Sequence, residues 1–302
     1  MTELDRATFG GGEPRGAVIS VVIPTLNEAA NLPHVLPRIP YGVDEVVLVD
    51  GHSVDDTVEV AKALRPDIRI VLQDGFGKGN ALACGFAAAR GDIIVMLDAD
   101  GSTDPAEIPR FLAPLQDGAD FVKGSRFIAG GGSLDITRLR RAGNRALGGI
   151  VNLMYGTRYT DLCYGYNAFW TRCLPHMQVD CVGFEVETLI NVRVARAGLK
   201  VCEVPSVEAE RRHGVSNLRA FRDGRRVLYT ILVERLGPSR DPHDNWRPAF
   251  LELDSKPTRM LPPVADPRLI WSPGEQPPEM QKSRSADLHG LQSLPGTAGD
   301  HL

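Results

Sequence analysis

Three aspartates stand directly after short apolar runs of the sequence. Asp50 ends the run EVVLVD, and Asp98 and Asp100 lie at the end of DIIVMLDAD. Two carboxylates one residue apart can face the same loop space, and such hard oxygen ligands suit Mg²⁺ or Mn²⁺ bridging a diphosphate. A D-x-D triplet alone is more often a solvated turn. Its place after an apolar run, with a second such aspartate upstream, favours a metal site.

The segment DGFGKGNA places Lys78 in a glycine-rich turn ahead of a helical pattern. It does not match the phosphate-binding pattern G-x-x-x-x-G-K-[ST], because Leu72 occupies the first glycine position and Gly79 follows the lysine. Asn80 likewise stands where G-x-G-x-x-G needs its last glycine. A kinase and a nicotinamide-dependent oxidoreductase are therefore disfavoured. A flexible turn is as well supported as a contact between Lys78 and a nucleotide.

Arginines concentrate in one short stretch of a chain whose formal net charge is −4. The acidic balance argues against a nucleic-acid partner, so the basic patch is local. Guanidinium groups pair bidentately with phosphate, which makes a lipid monophosphate a natural acceptor. A solvated helix face is the common alternative for such a run. The arginines concerned are Arg126, Arg138, Arg140, Arg141 and Arg145.

The elements that would position these residues alternate along the first half of the chain. Short β-branched runs and amphipathic segments follow one another up to about Phe121. This alternation predicts βαβ units and an α/β fold with a mostly parallel, doubly wound sheet flanked by helices. Ligands of such sheets bind beyond the carboxyl ends of the strands, where the three aspartates fall.

Composition predicts a single folded domain over residues 17–236. Residues 1–16 are polar and glycine-rich and are expected to form a flexible N-terminus. Half of the 22 prolines follow Leu236, so residues 237–302 are predicted to be a proline-rich, disordered tail.

Targeting signals are missing from the sequence. It contains neither a signal-peptide core nor an apolar run of membrane-spanning length. The five cysteines show no C-x-x-C pairing and are expected to be reduced. We therefore predict a cytoplasmic protein. The segment RRVLYTILVERL at residues 225–236 interleaves apolar and basic residues and could lie peripherally on the inner face of a membrane, although a core-packing helix is the commoner use of such a pattern.

Several motifs resemble, in order and spacing, those of family-two glycosyltransferases with the GT-A fold. The resemblance is strongest to the dolichyl-phosphate mannose and polyprenyl-phosphate glucose synthases, and it spans about residues 18–236. The motifs are IPTLNE (23–28), VDGHSVDDT (49–57), GKGNAL (77–82), LDADGSTDP (97–105), GSRF (124–127), RLRRAGNR (138–145), GFEVE (183–187) and EVPSVEAERRHGVSN (203–217).

The resemblance implies a role for each candidate residue. The nucleotide sugar is expected to contact Pro24, Asn27, Glu28, Asp50, Lys78 and Asp98. The metal, Mg²⁺ or Mn²⁺, is expected at Asp98 and Asp100. The acceptor phosphate is expected at Arg126, Arg138, Arg141 and Arg145. The catalytic candidates are Asp100, Arg126, Glu185 and Glu187.

The expected reaction is inverting transfer of a sugar from GDP-mannose or UDP-glucose to a polyprenyl or dolichyl phosphate. A phosphate acceptor is already ionised, whereas a hydroxyl of a saccharide or small molecule, the alternative acceptor, would need a general base. Glu185 or Glu187 could be that base. If both only orient arginines, the phosphate acceptor is favoured. A helix face with one buried and one exposed acid is equally well supported by the sequence.

One departure from the family pattern concerns the last motif. Asn217 stands where lysine is frequent, and this removes one expected contact to the diphosphate. Arg211, Arg212 or Arg219 could replace that contact.

Overall fold

The structure is a computed structural model that describes residues 16–214, 220–238 and 250–253. The strands are β1 (Ile19–Thr25), β2 (Glu45–Asp50), β3 (Arg69–Gln73), β4 (Ile93–Met96), β5 (Phe121–Ser125), β6 (Gly132–Ser133), β7 (Asn167–Trp170), β8 (Val201–Pro205), β9 (Val207–Glu208) and β10 (Phe250–Leu253). The helices are α1 (Leu32–Val35), α2 (Thr57–Leu64), α3 (Gly77–Ala88), α4 (Ile108–Gln116), α5 (Arg138–Tyr155), α6 (Leu174–Met177), α7 (Val186–Arg196) and α8 (Ala220–Leu236). Short 3-10 turns occupy Leu36–Arg38, Pro105–Glu107 and Thr171–Cys173.

Eight of these strands form one sheet, in the order β10-β3-β2-β1-β4-β7-β5-β8. β1 pairs in parallel with β2 and β4, β2 with β3, and β5 with β8. β7 runs antiparallel between β4 and β5, and β10 runs antiparallel to β3. β6 and β9 make a separate parallel pair. The predicted α/β fold with a mostly parallel sheet flanked by helices is confirmed.

The sheet is buried on both faces, which explains why its central strands read as continuous apolar runs. Val21 and Ile23 of β1 pack in one cluster with residues of α1, α2 and α4. Val22, on the other face of the same strand, packs with residues of α3, α6 and α7. Because helices cover both faces, polar side chains collect in the loops at the carboxyl ends of the strands.

A third apolar cluster lies among α5, α7 and α8. It includes Val151 of α5, Val192 of α7, and Val227 and Ile231 of α8. The Tyr155 hydroxyl donates a hydrogen bond to the carbonyl oxygen of Ile231 at 3.2 Å. These contacts attach the arginine-bearing helix α5 and the late helix α8 to the α/β body.

The predicted disordered tail, residues 237–302, is described only at 237–238 and 250–253. At Phe250–Leu253 the structure differs from that prediction, since these residues pair with β3. The apolar residues of Phe-Leu-Glu-Leu suit a strand, and the edge of β3 offers unpaired backbone groups to an added strand. The rest of the tail, and residues 1–15 of the predicted flexible N-terminus, lie outside the described residues.

All five cysteines are free in the structure, as expected. Burial raises the pKa of the Cys84 thiol to about 11, so this group stays protonated near neutral pH. Among the described helices, none has the length and apolar character needed to cross a membrane.

Candidate active site

Hydrogen bonds join the motifs IPTLNE and VDGHSVDDT at the carboxyl ends of β1 and β2. Asn27 has a left-handed backbone, with φ of 57°. Its amide oxygen accepts a hydrogen bond from the backbone N–H of Val54 at 2.8 Å, and its own N–H donates to Ser53 Oγ at 2.9 Å. The predicted nucleotide residue Asn27 therefore fixes the loop that follows β2, while Pro24 lies inside β1, opposite Val49.

Asp50 presents one unused carboxylate oxygen. The side chain is buried, and its Oδ2 accepts a hydrogen bond from the backbone N–H of Ser53 at 3.0 Å. Its Oδ1 is buried without a hydrogen-bond partner among the described residues. A buried acceptor of this kind is costly unless a ligand supplies a donor, which fits the nucleotide contact predicted for Asp50.

An open cavity of about 330 Å³ lies beside these motifs. Its lining joins the first motif to the late ERRHG segment, which is far away in sequence. The lining residues are Leu26, Asn27, Glu28, Ala30, Asn31, Asp55, Arg211, His213 and Gly214. Asn31 holds the two sides together, since its Nδ2 donates to Glu28 Oε2 at 2.5 Å and its Oδ1 accepts from the His213 backbone N–H at 2.9 Å.

Lys78 lies between two acidic residues from different motifs. Its Nζ is 2.7 Å from Asp98 Oδ1 and 2.7 Å from Glu187 Oε1. A Cβ at Gly165 would lie 3.1 Å from this Nζ and 3.2 Å from Asp98 Oδ2. The glycine at position 165 thus leaves room for the charged cluster.

The glycines on either side of Lys78 explain the GKG sequence. A Cβ at Gly77 would come within 2.1 Å of the carbonyl oxygen of Val182, and one at Gly79 within 2.1 Å of that of Cys181. Any side chain at either position would push the start of α3 away from the segment that leads to Glu187. The two glycines therefore allow a close backbone contact, while the contact between Lys78 and a nucleotide stays a prediction.

The electrostatics of this cluster keep Lys78 charged. Burial by itself lowers the pKa of Lys78, but Asp98 and Glu187 raise it above the ordinary lysine value. Burial raises the pKa of Glu187, and the Lys78 ammonium opposes that rise. Lys78 is thus the counter-charge that allows two carboxylates to lie close together.

Asp100 faces a different cation, Arg211. The guanidinium NH2 of Arg211 is 2.8 Å from Asp100 Oδ2, and its NH1 is 3.7 Å from Glu28 Oε1. Asp100 Oδ1 also accepts a hydrogen bond from the backbone N–H of Ser102 at 2.9 Å. Burial raises the pKa of Glu28, while Asn31 and Arg211 lower it. Arg211 therefore links the D-x-D loop to the first motif.

The donor set of this edge fits a divalent cation that is completed by a diphosphate. Within the described part of the chain, no group of three or more histidine, cysteine or acidic side chains could hold a metal alone. Asp98 and Asp100 supply hard carboxylate oxygens, and Mg²⁺ commonly binds through one or two carboxylates together with substrate phosphates. The predicted roles of both residues as metal ligands stay predictions.

Arg126 differs from its predicted role in binding an acceptor phosphate. Its Nε and NH2 bind Asp161 at 2.7 and 3.0 Å, and its NH1 is 3.0 Å from Glu208 Oε2. The side chain is buried, and its guanidinium stacks 4.7 Å from the Tyr164 ring centre. Because it is buried and paired with two carboxylates, Arg126 holds the chain around Asp161.

Three other predicted arginines lie exposed on α5. Arg138, Arg141 and Arg145 share one face of the helix, and none has a carboxylate partner among the residues described. Arg141 stacks over the Phe127 ring at 5.3 Å. Arg140 instead pairs with Asp135 at 3.3 Å. The free guanidinium groups are therefore available to an anion from solvent or from a surface.

A second cavity, of about 340 Å³, runs along α5. Arg145 and Phe127 are among the residues that line it. The remaining lining residues are Gly148, Gly149, Asn152, Tyr159 and Thr160. The chain then continues through Asp161 to Gly165, which adjoins Asp98. One short segment thus connects this cavity to the D-x-D cluster.

Glu185 and Glu187 both face cations. Glu187 pairs with Lys78, as described above. Glu185 Oε1 accepts a hydrogen bond from the Gly183 backbone N–H at 3.2 Å, and its Oε2 lies 3.8 Å from Arg226 Nε. Glu185 thus lies beside an arginine as considered from the sequence, whereas Glu187 pairs with a lysine, and both acids are buried.

Sequence reasoning missed the buried polar network around Asp161. Asn144 of α5 donates to Asp161 Oδ1 at 2.6 Å. The buried Lys123 of β5 donates to the Asp161 carbonyl oxygen and lies 3.5 Å from Glu203. Burial by itself raises the pKa of Asp161, but Arg126 and Lys123 hold it below its ordinary value. Lys123 could have been noticed as a charge within an apolar strand, whereas nothing local marks its partners.

The sheet topology and the carboxylates at its strand ends define an α/β enzyme of the GT-A type. Residues 20–181 match the family described as Glycosyl transferase family 2, and the chain belongs to that family. The predicted resemblance is confirmed, and the protein is a glycosyltransferase.

Two relatives are each about one third identical to this chain over the residues that match. Glycosyltransferase AglJ of Haloferax volcanii is 32% identical over 225 residues, which cover 74% of this chain and 73% of the relative. The undecaprenyl-phosphate mannosyltransferase of Micrococcus luteus is 32% identical over 214 residues, which cover 66% of this chain and 87% of the relative.

A solved structure resembles the fold. Glucosyl-3-phosphoglycerate synthase from Mycobacterium tuberculosis, in complex with Mn²⁺, uridine diphosphate and glucosyl-3-phosphoglycerate, superposes with a TM-score of 0.58. It is 28% identical, and the match covers 73% of this chain and 80% of that chain.

Proposed function

We propose that the enzyme transfers a sugar, with inversion, from a nucleoside-diphosphate sugar to a polyprenyl phosphate. The observation that carries this proposal is the arrangement of charges. Both candidate bases, Glu185 and Glu187, are paired with cations, whereas Arg138, Arg141 and Arg145 are exposed without carboxylate partners in the described chain. Such a site suits an acceptor that arrives already ionised.

On the donor side, the nucleotide would lie over the carboxyl ends of β1 and β2. The unpaired Oδ1 of Asp50 would accept a hydrogen bond from the nucleotide. Arg211 lines the adjoining cavity and would turn from Asp100 to the diphosphate, the contact for which the family pattern uses a lysine. Lys78 would keep Asp98 and Glu187 in place beside the reacting sugar.

Asp98 and Asp100 would hold Mg²⁺ or Mn²⁺ together with the diphosphate. When bound, a divalent cation stabilises the negative charge that develops on the leaving diphosphate. The presence of Mn²⁺ with uridine diphosphate in the related M. tuberculosis enzyme supports this assignment.

On the acceptor side, the cavity along α5 would receive the phosphate, with Arg145 at its lining and Arg141 beside Phe127. A phosphate oxygen attacks the anomeric carbon from the face opposite the diphosphate. The new carbon–oxygen bond forms as the bond to the diphosphate breaks, and the nucleoside diphosphate leaves. No proton needs to be removed from an ionised phosphate, so a strong base is not required.

The donor would be GDP-mannose or UDP-glucose. The name of the M. luteus relative favours mannose, and the ligand of the M. tuberculosis structure favours a uridine nucleotide. The catalytic domain would be residues 17–236. A polyprenyl phosphate resides in a bilayer, so this function requires the enzyme to meet a membrane surface, at the cytoplasmic side.

The alternative function is transfer to a hydroxyl of a saccharide or small molecule. The M. tuberculosis structure, which contains a glucosylated phosphoglycerate, favours this candidate. In that case Glu187, whose pKa burial raises, would be released from Lys78 to act as the base.

The test is release of nucleoside diphosphate by the purified full-length protein. GDP-mannose and UDP-glucose are each supplied with Mg²⁺ or Mn²⁺ and a short, water-soluble polyprenyl phosphate. We expect release to require the metal and the prenyl phosphate, and to fall by roughly a thousandfold in Asp100→Asn. The matched control is Asp117→Asn, which changes an exposed aspartate at the carboxyl end of α4 and should keep full activity.

Binding of the donor without release in the presence of prenyl phosphate would contradict the proposal. Release with phosphoglycerate or a free saccharide instead would establish the alternative acceptor.

A further inference from the structure

Helix α8 has two apolar faces, only one of which is covered by the described chain. Val227 and Ile231 point inward to α5 and α7. On the opposite side, Phe221 is 80% exposed, Tyr229 69% and Leu236 85%. Large apolar side chains exposed together along one side of a helix indicate an interaction site, and no described residue covers this side of α8.

The exposed apolar residues recur at helical spacing along α8. Phe221, Leu228, Leu232 and Leu236 form one stripe, and Tyr229 and Val233 extend it on one side. Isolated exposed hydrophobic residues are common on protein surfaces, but a contiguous stripe along a helix of 17 residues marks an interaction site.

Helix α5 continues this surface. It packs beside α8 through the apolar cluster that also includes α7. On the side of α5 away from this cluster, Leu139 and Leu153 are exposed. The outward side also contains the small residues Ala142, Ala146 and Gly149, which present little polar side-chain surface. We call the exposed residues of both helices the outer face. Its apolar members are Leu139, Leu153, Phe221, Leu228, Tyr229, Leu232, Val233 and Leu236.

The outer face is strongly cationic although the whole chain has a net charge of −4. The exposed arginines on α5 and α8 are Arg138, Arg141, Arg145, Arg222, Arg225, Arg226 and Arg235. Of these, Arg226 pairs with Glu185 at 3.8 Å. Arginines interleaved with exposed leucine, tyrosine and phenylalanine are the pattern of a helix that lies in the interface of an anionic membrane.

Charge decides between the two kinds of partner that could cover such a face. A second copy of this chain, placed by two-fold symmetry, would bring the same arginines against one another, and like charges at an interface are costly. Anionic lipid headgroups would pair with those arginines, while the acyl region would take up the leucine and aromatic side chains.

We propose that the outer face of α5 and α8 docks flat on an anionic lipid bilayer. This proposal rests on the proposed function, because it supplies the route by which a membrane-resident phosphate reaches the α5 cavity. Arg145 both belongs to the outer face and lines that cavity, so the cavity opens where the bilayer would lie. Docking in this orientation brings the lipid phosphate to the enzyme without any membrane-spanning segment among the described helices.

The test is cosedimentation of the full-length protein with vesicles of phosphatidylglycerol or of phosphatidylcholine. We expect binding to the anionic vesicles, weakened by added salt, and little binding to the neutral ones. Leu232→Asp should reduce vesicle binding by roughly tenfold, because it removes apolar burial and adds a negative charge. Tyr41→Asp, at a fully exposed tyrosine in the loop before β2, is the matched control and should bind as the unchanged protein does.

Activity on the short, water-soluble prenyl phosphate separates a docking defect from a folding defect. Leu232→Asp should keep that activity within about twofold, since the side chain is exposed. If the variant fails to fold, Arg225→Glu takes its place, because Arg225 is exposed and has no partner among the described residues.

Equal vesicle binding by the unchanged protein and by both outer-face variants would overturn the proposal. A dimer that either variant dissociates, in a protein that does not bind vesicles, would also overturn it and assign the face to a second copy. Vesicle binding through the outer face without release driven by prenyl phosphate would leave the docking surface standing and reject the proposed acceptor.

Discussion

Two regions of the molecule hold their charges in opposite ways. The first, which we call the donor edge, contains Asp50, Asp98 and Asp100 at the carboxyl ends of β2 and β4, and the second is helix α5 with its exposed arginines. At the donor edge, Asp98 and Asp100 follow β4, and each is matched by a cation from a distant motif, Asp98 by Lys78 and Asp100 by Arg211. On α5, the arginines project from a helix surface and remain free of carboxylate partners in the described chain. In the first arrangement Asp98 and Asp100 are paired within the protein, while the second is open and cationic.

The difference suits what the proposed function requires each side to bind. A nucleoside diphosphate and a metal need groups held in fixed positions, and the register of a buried sheet provides them. A phosphate on a long prenyl chain comes from a surface, and exposed guanidinium groups can meet it there. Variants that disturb one side only should therefore change the kinetics of one substrate only.

The largest effect is expected from removing the central counter-charge of the donor edge. Lys78→Met leaves Asp98 and the buried Glu187 together without a cation. We expect kcat to fall by roughly a hundredfold and the free energy of unfolding to fall by about 2 kcal/mol. Steady-state release of nucleoside diphosphate and urea unfolding provide the two measurements, and Lys62→Met, at an exposed lysine of α2, is the control.

The stability loss in Lys78→Met should depend on pH with a definite sign. Without Lys78, the pKa of Glu187 in the folded protein rises further above 4.5, so folding favours the protonated form. The deficit should be largest at neutral pH and shrink as the pH falls towards 4.5. The double variant Lys78→Met/Glu187→Gln should recover most of the stability lost in Lys78→Met but should not recover the activity. A deficit that is independent of pH would show that Lys78 does not act through Glu187.

A smaller effect, confined to the donor, is expected from Arg211→Ala. If Arg211 replaces the lysine of the family pattern, the KM for the nucleotide sugar should rise by roughly tenfold. The KM for the prenyl phosphate should stay unchanged. The neighbouring Arg212 is exposed, and Arg212→Ala should change the donor KM by less than about threefold. Equal effects of the two variants would show that no specific contact is made by Arg211.

The complementary effect, confined to the acceptor, is expected from Arg145→Gln. The KM for a short prenyl phosphate should rise by roughly five- to tenfold because one guanidinium–phosphate contact is lost. The KM for the donor should not change. Arg172→Gln, at an exposed arginine after β7 that pairs with Asp120, is the control. A rise in the donor KM instead would place Arg145 at the nucleotide and remove the distinction between the two sides.

Much of the donor edge could be predicted from the sequence because its signals are local. A buried parallel strand is a continuous apolar run, and its last residue reaches the edge of the sheet where ligands bind. This rule places Asp50, Asp98 and Asp100 at the carboxyl ends of strands, and in the structure they lie at the ends of β2 and β4. The GKG motif was noticed, but its purpose was not, since the backbone that requires Gly77 and Gly79 lies about a hundred residues further along the chain.

The environments of the arginines were predicted less well, because a charge pattern does not reveal which side chains are buried. Arg126 and Arg145 have the same chemistry and lie in one arginine-rich stretch. The fold buries Arg126 against Asp161 and Glu208, and it leaves Arg145 exposed beside a cavity. The strand Phe250–Leu253 likewise depends on a free edge at β3, which local composition does not show.

The sequence by itself determined the α/β architecture, the family and the carboxylates of the donor edge, because strand periodicity and strand-end position are encoded over a few neighbouring residues. Only the tertiary structure decided which cation serves which carboxylate and, within the described residues, which arginines have no carboxylate partner and which face of α8 is uncovered. Each of these depends on contacts between segments far apart in the chain, where packing and the cost of burying an unpaired charge select one partner among many.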